Sequence, residues 1–400
     1  MSKAVLLSSL YELAGDSAGA FESFFRNLAA GFAAGSGRAD WTAAVIDRAE
    51  SACPAAARKS VFEAPESVGA GFRFHLARFK KRLEVELFVK KYAEKLKARA
   101  NELGGATVVH AHDPFAVLAF RSLGAPGSAA PLCFTPGYLS CLEQAGRALP
   151  WLRDAEKKAL ELADCVIAPG REYLSALEGA YGPLKRARVV LPGLDDAGRL
   201  KTGALRRRLG APESSLFVAA FYGPGTVPDA EFFMEAFAVA AKAAPGRLFG
   251  VAHGLQSGAL ACRLRNMGIG REFSLLGPDS PGGELLAEAD IFFSSFRRPS
   301  VELGSIAALR AGLAVAAADT GWNAEAAGYG EAALLFRTGD AASAGAALAE
   351  IALHPPALIY FSSRAREYFK ARYTLAAFAG RAAEVYSGLS GAPAAGTEAA

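Results

Sequence analysis

Four hundred residues are more than one ordinary hydrophobic core uses, so the length implies two domains. A chain that is 52% hydrophobic and 21% charged packs into globular domains, which excludes a disordered protein. A net charge of +4 is too small to argue for a nucleic-acid partner.

Met1-Ser2-Lys3 and the short apolar run behind it are too brief for a secretory signal. No apolar run approaches the roughly 18 residues of a membrane helix, so a cytoplasmic protein is expected. Ala4–Leu10 reads as a buried strand, and Phe21–Phe32 repeats apolar residues at helical spacing. Further strands are expected at Trp41–Ile46, Thr107–Ala111, Leu132–Thr135, Cys165–Ala168 and Arg188–Leu191. Between them lie helical patterns at Pro114–Leu123, Leu149–Ala163 and Tyr173–Tyr181. Strands that are continuously apolar, not alternating, imply a parallel sheet covered on both faces.

Pro192-Gly193-Leu194-Asp195 breaks this alternation, which then restarts with a strand at Leu216–Phe221, a helix at Asp229–Ala243 and a strand at Leu248–Ala252. From Ala289 to Asp340 the pattern is strand, loop, helix, strand, glycine turn, strand. Helices are expected at Pro356–Tyr368 and Tyr373–Leu389, and the small polar stretch 390–400 as a disordered tail. The predicted fold class is therefore α/β, two Rossmann-like doubly wound domains facing across a cleft. Their bounds are 1–195 and 196–372, with a C-terminal helix at 373–389 that can return to the first domain.

Open α/β sheets bind ligands at the carboxyl ends of strands, where loops enter helices. Gly15, Ser17 and Gly19 follow the first strand in such a loop. His110-Ala111-His112-Asp113-Pro114 ends another strand, and alternation puts both imidazoles on one side. They can serve a sugar hydroxyl or phosphate, or act as a base; equally, one is a satisfied core histidine and Asp113 a helix cap. No third ligand at a telling spacing supports a metal site. The five cysteines are scattered and contain no Cys-x-x-Cys, so buried free thiols are expected. Residues 72–100 hold ten Lys/Arg against three Glu, with Phe72, Leu76, Phe79, Leu83, Leu87 and Leu96 at helical spacing. Such a helix can lie on anionic lipid at the inner face of a membrane, or pack its stripe on the first sheet with solvated lysines.

Two stretches carry a family resemblance. One is Ala289-Asp290 and Ile291-Phe292-Phe293, with Gly304 to Gly312, Ala314-Val315-Ala316, Asp319-Thr320-Gly321, Glu325, and Ala332 to Phe336 before Gly339-Asp340. The other runs from Glu156 through Ala163-Asp164 and Cys165–Ala168 to Val189-Val190-Leu191-Pro192-Gly193-Leu194-Asp195. In order and spacing the chain resembles the family 4 glycosyltransferases, which have the GT-B fold. The resemblance implies transfer of a hexose from a nucleotide-sugar to a glycan, lipid or protein acceptor, with retention and without a metal or other cofactor. On it, Gly223, Thr226, Arg297, Arg298, Ser300, Gly321 and Glu325 fall on the donor side. Gly15, Ser17 and Gly19 fall on the acceptor side, and His110, His112 and Glu302 are the candidate catalytic groups.

Five family functional positions carry other residues here: Pro136, Pro224, Asp229, Pro299 and Ala307. These replace a histidine, an arginine, a lysine and the two carboxylates of a Glu-x7-Glu pair. Glu302 lies three residues beyond the first of that pair, and Arg297 and Arg298 stand where they can supply cations. The alternative class is a catalytically silent GT-B protein that binds a partner, a glycan or a modified nucleotide. A nucleotide-sugar epimerase on the same architecture would need the same missing groups.

Overall fold

The computed structural model describes residues 2–7, 27–28, 30–31, 41–46, 86–98, 101, 103, 105–124, 129–136, 150–222, 226–255, 257–296 and 302–390. The chain divides into two compact units, Met1–Gly193 with Leu375–Ala400, and Leu194–Thr374. It crosses between them at Gly193–Leu194 and Thr374–Leu375. The reason for those points is local. Leu194 N donates to Tyr373 O at 2.8 Å and Leu194 bridges Thr374 in parallel, so both crossing strands are tied to the second unit.

The first unit holds a parallel sheet of β1 (Ser2–Leu7), β2 (Trp41–Ile46), β3 (Val108–Ala111), β4 (Leu132–Phe134), β5 (Cys165–Ala168) and β6 (Ala187–Val189). Its order is β2-β1-β3-β4-β5-β6, so the winding direction reverses between β1 and β3. β3, β4 and β5 are buried along their whole length, as doubly covered parallel strands must be. β6 ends at Val189, two residues short of the sequence expectation, because β5 stops at Ala168 opposite it and offers no further partner. Helix α1 (Pro114–Arg121) starts cleanly because Asp113 accepts from Ala116 N at 2.8 Å and Pro114 sits in the first turn. Helices α2 (Pro150–Leu162) and α3 (Arg171–Tyr181) follow.

Of the basic segment, residues 86–98 are described and helical. Tyr92, Ala93 and Leu96 are buried in the cluster that contains Val109, Ala111 and Phe120, while Leu87 is 52% exposed. The part of that segment before residue 86 lies outside the described residues, as do residues 391–400. Cys133 and Cys165 are buried free thiols on paired strands, whereas Cys262, expected to be buried, is exposed. It falls on the outer face of a helix.

The second unit repeats the plan. A short helix α4 (Ala204–Leu209) leads in, and the parallel sheet comprises β7 (Leu216–Phe221), β8 (Leu248–His253), β9 (Phe273–Leu276), β10 (Ile291–Ser294), β11 (Ala314–Ala318) and β12 (Leu334–Phe336). The order is β12-β11-β10-β7-β8-β9, with its reversal between β7 and β10. The covering helices are α5 (Val227–Ala243), α6 (Gly258–Asn266), α7 (Gly282–Glu288), α8 (Leu303–Ala311), α9 (Gly321–Ala326), α10 (Ala341–Leu353) and α11 (Pro355–Arg372). Phe293 stacks on Phe233 at 4.7 Å and on Phe336 at 5.1 Å, so aromatic packing joins α5 to the sheet.

α9 corrects the sequence reading, which had only a glycine turn between β11 and β12. Burial of Trp322 and a bond from Ala324 N to Thr320 O at 2.8 Å wind that segment into a helical turn. The glycine turn comes after it, at Gly328-Tyr329-Gly330, where all three residues have positive φ. The last helix, α12 (Leu375–Ser390), belongs to the first unit. Its Phe378, Ala379, Ala382, Ala383 and Tyr386 bury against Val108, Cys133, Cys165 and Ile167. No single helix among the described residues is long and apolar enough to cross a membrane.

Candidate functional site

The described polar side chains gather at the carboxyl ends of the strands on either side of each reversal point, where open α/β sheets hold ligands. In the second unit, β10 delivers Ser294 and Ser295 as its apolar run ends, and β7 is followed by Tyr222. The loop after β10 rejoins the described chain at Glu302, the residue that precedes α8. Gly312, at φ 64°, closes α8 in the left-handed conformation that favours glycine.

Glu302 is the centre of a compact network. Ser294 Oγ and Ser305 Oγ each lie 2.6 Å from Glu302 Oε2. Ser294 Oγ also lies 3.2 Å from Asn323 Oδ1. Asn323 Nδ2 donates to Phe296 O at 2.8 Å, and Thr320 Oγ1 donates to the same carbonyl at 2.9 Å. Three segments are thereby joined: the end of β10, the start of α8 and the start of α9. Burial pushes the Glu302 carboxyl above its ordinary range against the two serine hydroxyls, and Asp229 pushes it the same way. Tyr222 is held well above the usual phenol range by burial, with Asp229 and Glu302 adding to the effect. The charges that act on both groups are acidic.

At the neighbouring strand end, His253 Nε2 lies 2.7 Å from Ser280 O, which makes that nitrogen the protonated one. Its ring meets Phe221 edge-on at 5.2 Å.

In the first unit His110 is 1% exposed, with Nδ1 2.6 Å from Tyr386 Oη and Nε2 2.7 Å from Thr135 Oγ1. Both nitrogens are occupied within the fold, and burial drives the imidazole down to about 3. A neutral ring donates from one nitrogen and accepts at the other, so His110 takes the satisfied-core role that the sequence left open. His112 lies beside it with ring centroids 4.3 Å apart and the rings tilted by 36°, and burial, then His110, hold its imidazole well below the ordinary value. Asp113 is the helix cap.

The other sequence candidates are distributed as follows. Thr226 opens α5, its carbonyl accepting from Asp229 N and Ala230 N. Gly321 is the first residue of α9, and Glu325 is buried on the same turn as Asn323. Burial raises the Tyr368 phenol of α11, and Glu331 and Glu325 raise it further, so Glu325 lies toward that helix. Gly15, Ser17, Gly19, Gly223, Arg297, Arg298 and Ser300 lie outside the described residues. The sequence reading did not single out Tyr222, Ser294, Ser295, Ser305, Asn323 or Tyr386. The Ser294-Ser295 pair at the end of an apolar strand was the available signal. Among the described residues no group of three or more His, Cys, Asp or Glu could hold a metal ion.

Residues 25–197 match the family model described as Glycosyltransferase Family 4. No curated protein matches the sequence. Sucrose-phosphate synthase from Thermosynechococcus elongatus superposes with a TM-score of 0.70 at 19% identity, over 98% of this chain and 100% of that one. HepE of Anabaena, solved in complex with UDP, gives 0.67 at 16% identity over 97% of this chain and 100% of its own. WaaG, a glycosyltransferase involved in lipopolysaccharide biosynthesis, gives 0.60 at 13% identity over 97% and 100%.

The fold is GT-B. The chain resembles the family 4 glycosyltransferases over that matched stretch, and three of the five residues read from the sequence as replacing family groups are described. Pro136 is packed inside the first unit, its carbonyl accepting from Tyr173 Oη at 2.6 Å. Asp229 stands in the first turn of α5, and Ala307 lies on α8. Pro224 and Pro299 lie outside the described residues.

Proposed function

We propose that this GT-B protein is a hexosyltransferase with an atypical donor site, moving a sugar from a nucleotide-sugar to a glycan, lipid or protein acceptor with retention. The observation that carries the reading is the hydroxyl, amide and carboxyl cluster of Ser294, Ser305, Asn323 and Glu302 beside the β7/β10 reversal. That is where the topology directs a nucleotide. HepE, of the same fold, binds UDP, which supports the same ligand class here. With Asp229 in place of a family lysine, charge-assisted contacts to the diphosphate fall to Arg297 and Arg298, beside neutral donors and backbone N–H groups.

The five replaced family positions favour a second reading, a silent GT-B protein that binds without turnover. Calorimetric titration with UDP and GDP, followed by an assay of nucleotide-sugar hydrolysis, separates the two. Micromolar binding with turnover is the expected result. Absence of binding or of turnover at millimolar nucleotide leaves the silent protein as the answer.

A further inference from the structure

Among the described residues, the hydrogens available to the network around Glu302 favour one charge state over the other. Ser294 has one hydroxyl hydrogen and two acceptor lone pairs. Two oxygens face it, Glu302 Oε2 at 2.6 Å and Asn323 Oδ1 at 3.2 Å, and Phe296 N approaches it as a donor at 3.4 Å. Turning the Asn323 amide round would set its oxygen against Phe296 O at 2.8 Å, acceptor facing acceptor. If Glu302 were ionised, the single Ser294 hydrogen would serve it, and Asn323 Oδ1 would face an oxygen with no hydrogen between them. If Glu302 carries a proton, every requirement is met. Glu302 donates to Ser294, Ser294 donates to Asn323, and Ser294 accepts from Phe296 N. Ser305 supplies its own hydroxyl to Glu302.

We infer that Glu302 is a neutral positioning residue, whose proton completes the Glu302–Ser294–Asn323 relay and so fixes the ends of β10, α8 and α9 that frame the proposed nucleotide site. The inference rests on that functional reading for its consequence, not for the protonation itself. Among the described residues the charged and titratable groups acting on Glu302 are Asp229 of α5 and Tyr222 after β7. Neither of these described groups is a cation that would favour an ionised Glu302. An uncharged Glu302 also spares an incoming diphosphate a second repelling carboxylate beside Asp229.

The sign follows from the raised carboxyl. The stabilisation is complete below the ordinary carboxyl value of 4.5 and is lost as pH rises from there toward the folded value. Glu302→Gln keeps a donor toward Ser294 but cannot ionise. Thermal midpoints of the full chain are measured from pH 5 to pH 8.5 for wild type and Glu302→Gln. The wild type is expected to lose about 2–4 °C more than the variant across that range. Parallel curves overturn the inference. Ser294→Ala gives a second reading should the glutamine variant fail to fold. Loss of the acceptor of Glu302's proton moves the fall in midpoint to lower pH, whereas loss of a donor to an ionised carboxylate moves it higher and rules the proposal out. UDP titration over the same pH range reads the consequence: affinity that falls about tenfold in the wild type and holds in Glu302→Gln supports positioning. UDP binding that is equally pH-insensitive in both removes the positioning role. If UDP binds to no variant, the functional reading fails while the midpoints still decide the charge.

Discussion

At the scale of single residues, the two polar centres differ in what they leave available. His110 spends both nitrogens on Thr135 and Tyr386, so its chemistry is directed into the fold. Its imidazole is depressed to about 3, so the stability it contributes is present above the ordinary 6.5 and lost as pH falls toward 3. The slope is about 1.4 kcal/mol per pH unit, one proton's worth. Tyr386→Phe removes the hydroxyl from His110 and is expected to lower the stability of the first unit by about 1–3 kcal/mol, read as a shift in its urea midpoint. Glu302, by contrast, keeps its hydrogen bonds among loop and helix starts at strand ends. The histidine pair was legible as a cluster in the sequence, but its partner Tyr386 was not. A residue 276 positions away has no local pattern to announce it.

At the scale of elements, close packing sets the limits. α5 and α10 approach so closely that a Cβ on Gly345 would lie 2.5 Å from Val239 Cβ and 2.7 Å from Ala236 O. Gly345 is needed for proximity and not for a left-handed backbone. Gly345→Leu is expected to destabilise the second unit by about 1–3 kcal/mol or more by overpacking, measured as a lowered thermal midpoint. Strands Cys165–Ala168 and Leu216–Phe221 were readable residue for residue, because each is an uninterrupted apolar run that begins just after a polar residue, Asp164 or Ser215. α9 was not, since Gly321 and Asn323 argue locally for a turn and only the burial of Trp322 makes a helix of it.

At the scale of the whole molecule, the two units close their cores by different means. The first depends on α12, which the chain supplies after completing the second, and which covers Val108, Cys133, Cys165 and Ile167. The second is held at its entrance by Asp290, which pairs with Lys201 at 2.5 Å and with Arg206, and accepts from Phe217 N at 2.9 Å. Arg310 on Asp195 at 2.7 Å and Arg366 on Asp196 at 2.5 Å fasten the segment just before it. Residues 194–374 expressed alone are therefore expected to fold cooperatively. A chain ending at Thr374 is expected to lose the first unit's protection from proteolysis while keeping the second's. Equal protease resistance of both units in that truncation would contradict the assigned role of α12.

By itself the sequence determined the α/β class and the parallel strands, because these follow from local periodicity and from spacing within one segment. Tertiary structure alone decided which polar groups meet. Ser294, Glu302 and Asn323 come from a strand, a loop and a helix, and His110 and Tyr386 from positions 276 residues apart. The state of a titratable group depends on every atom packed around it, and only folding brings those atoms together.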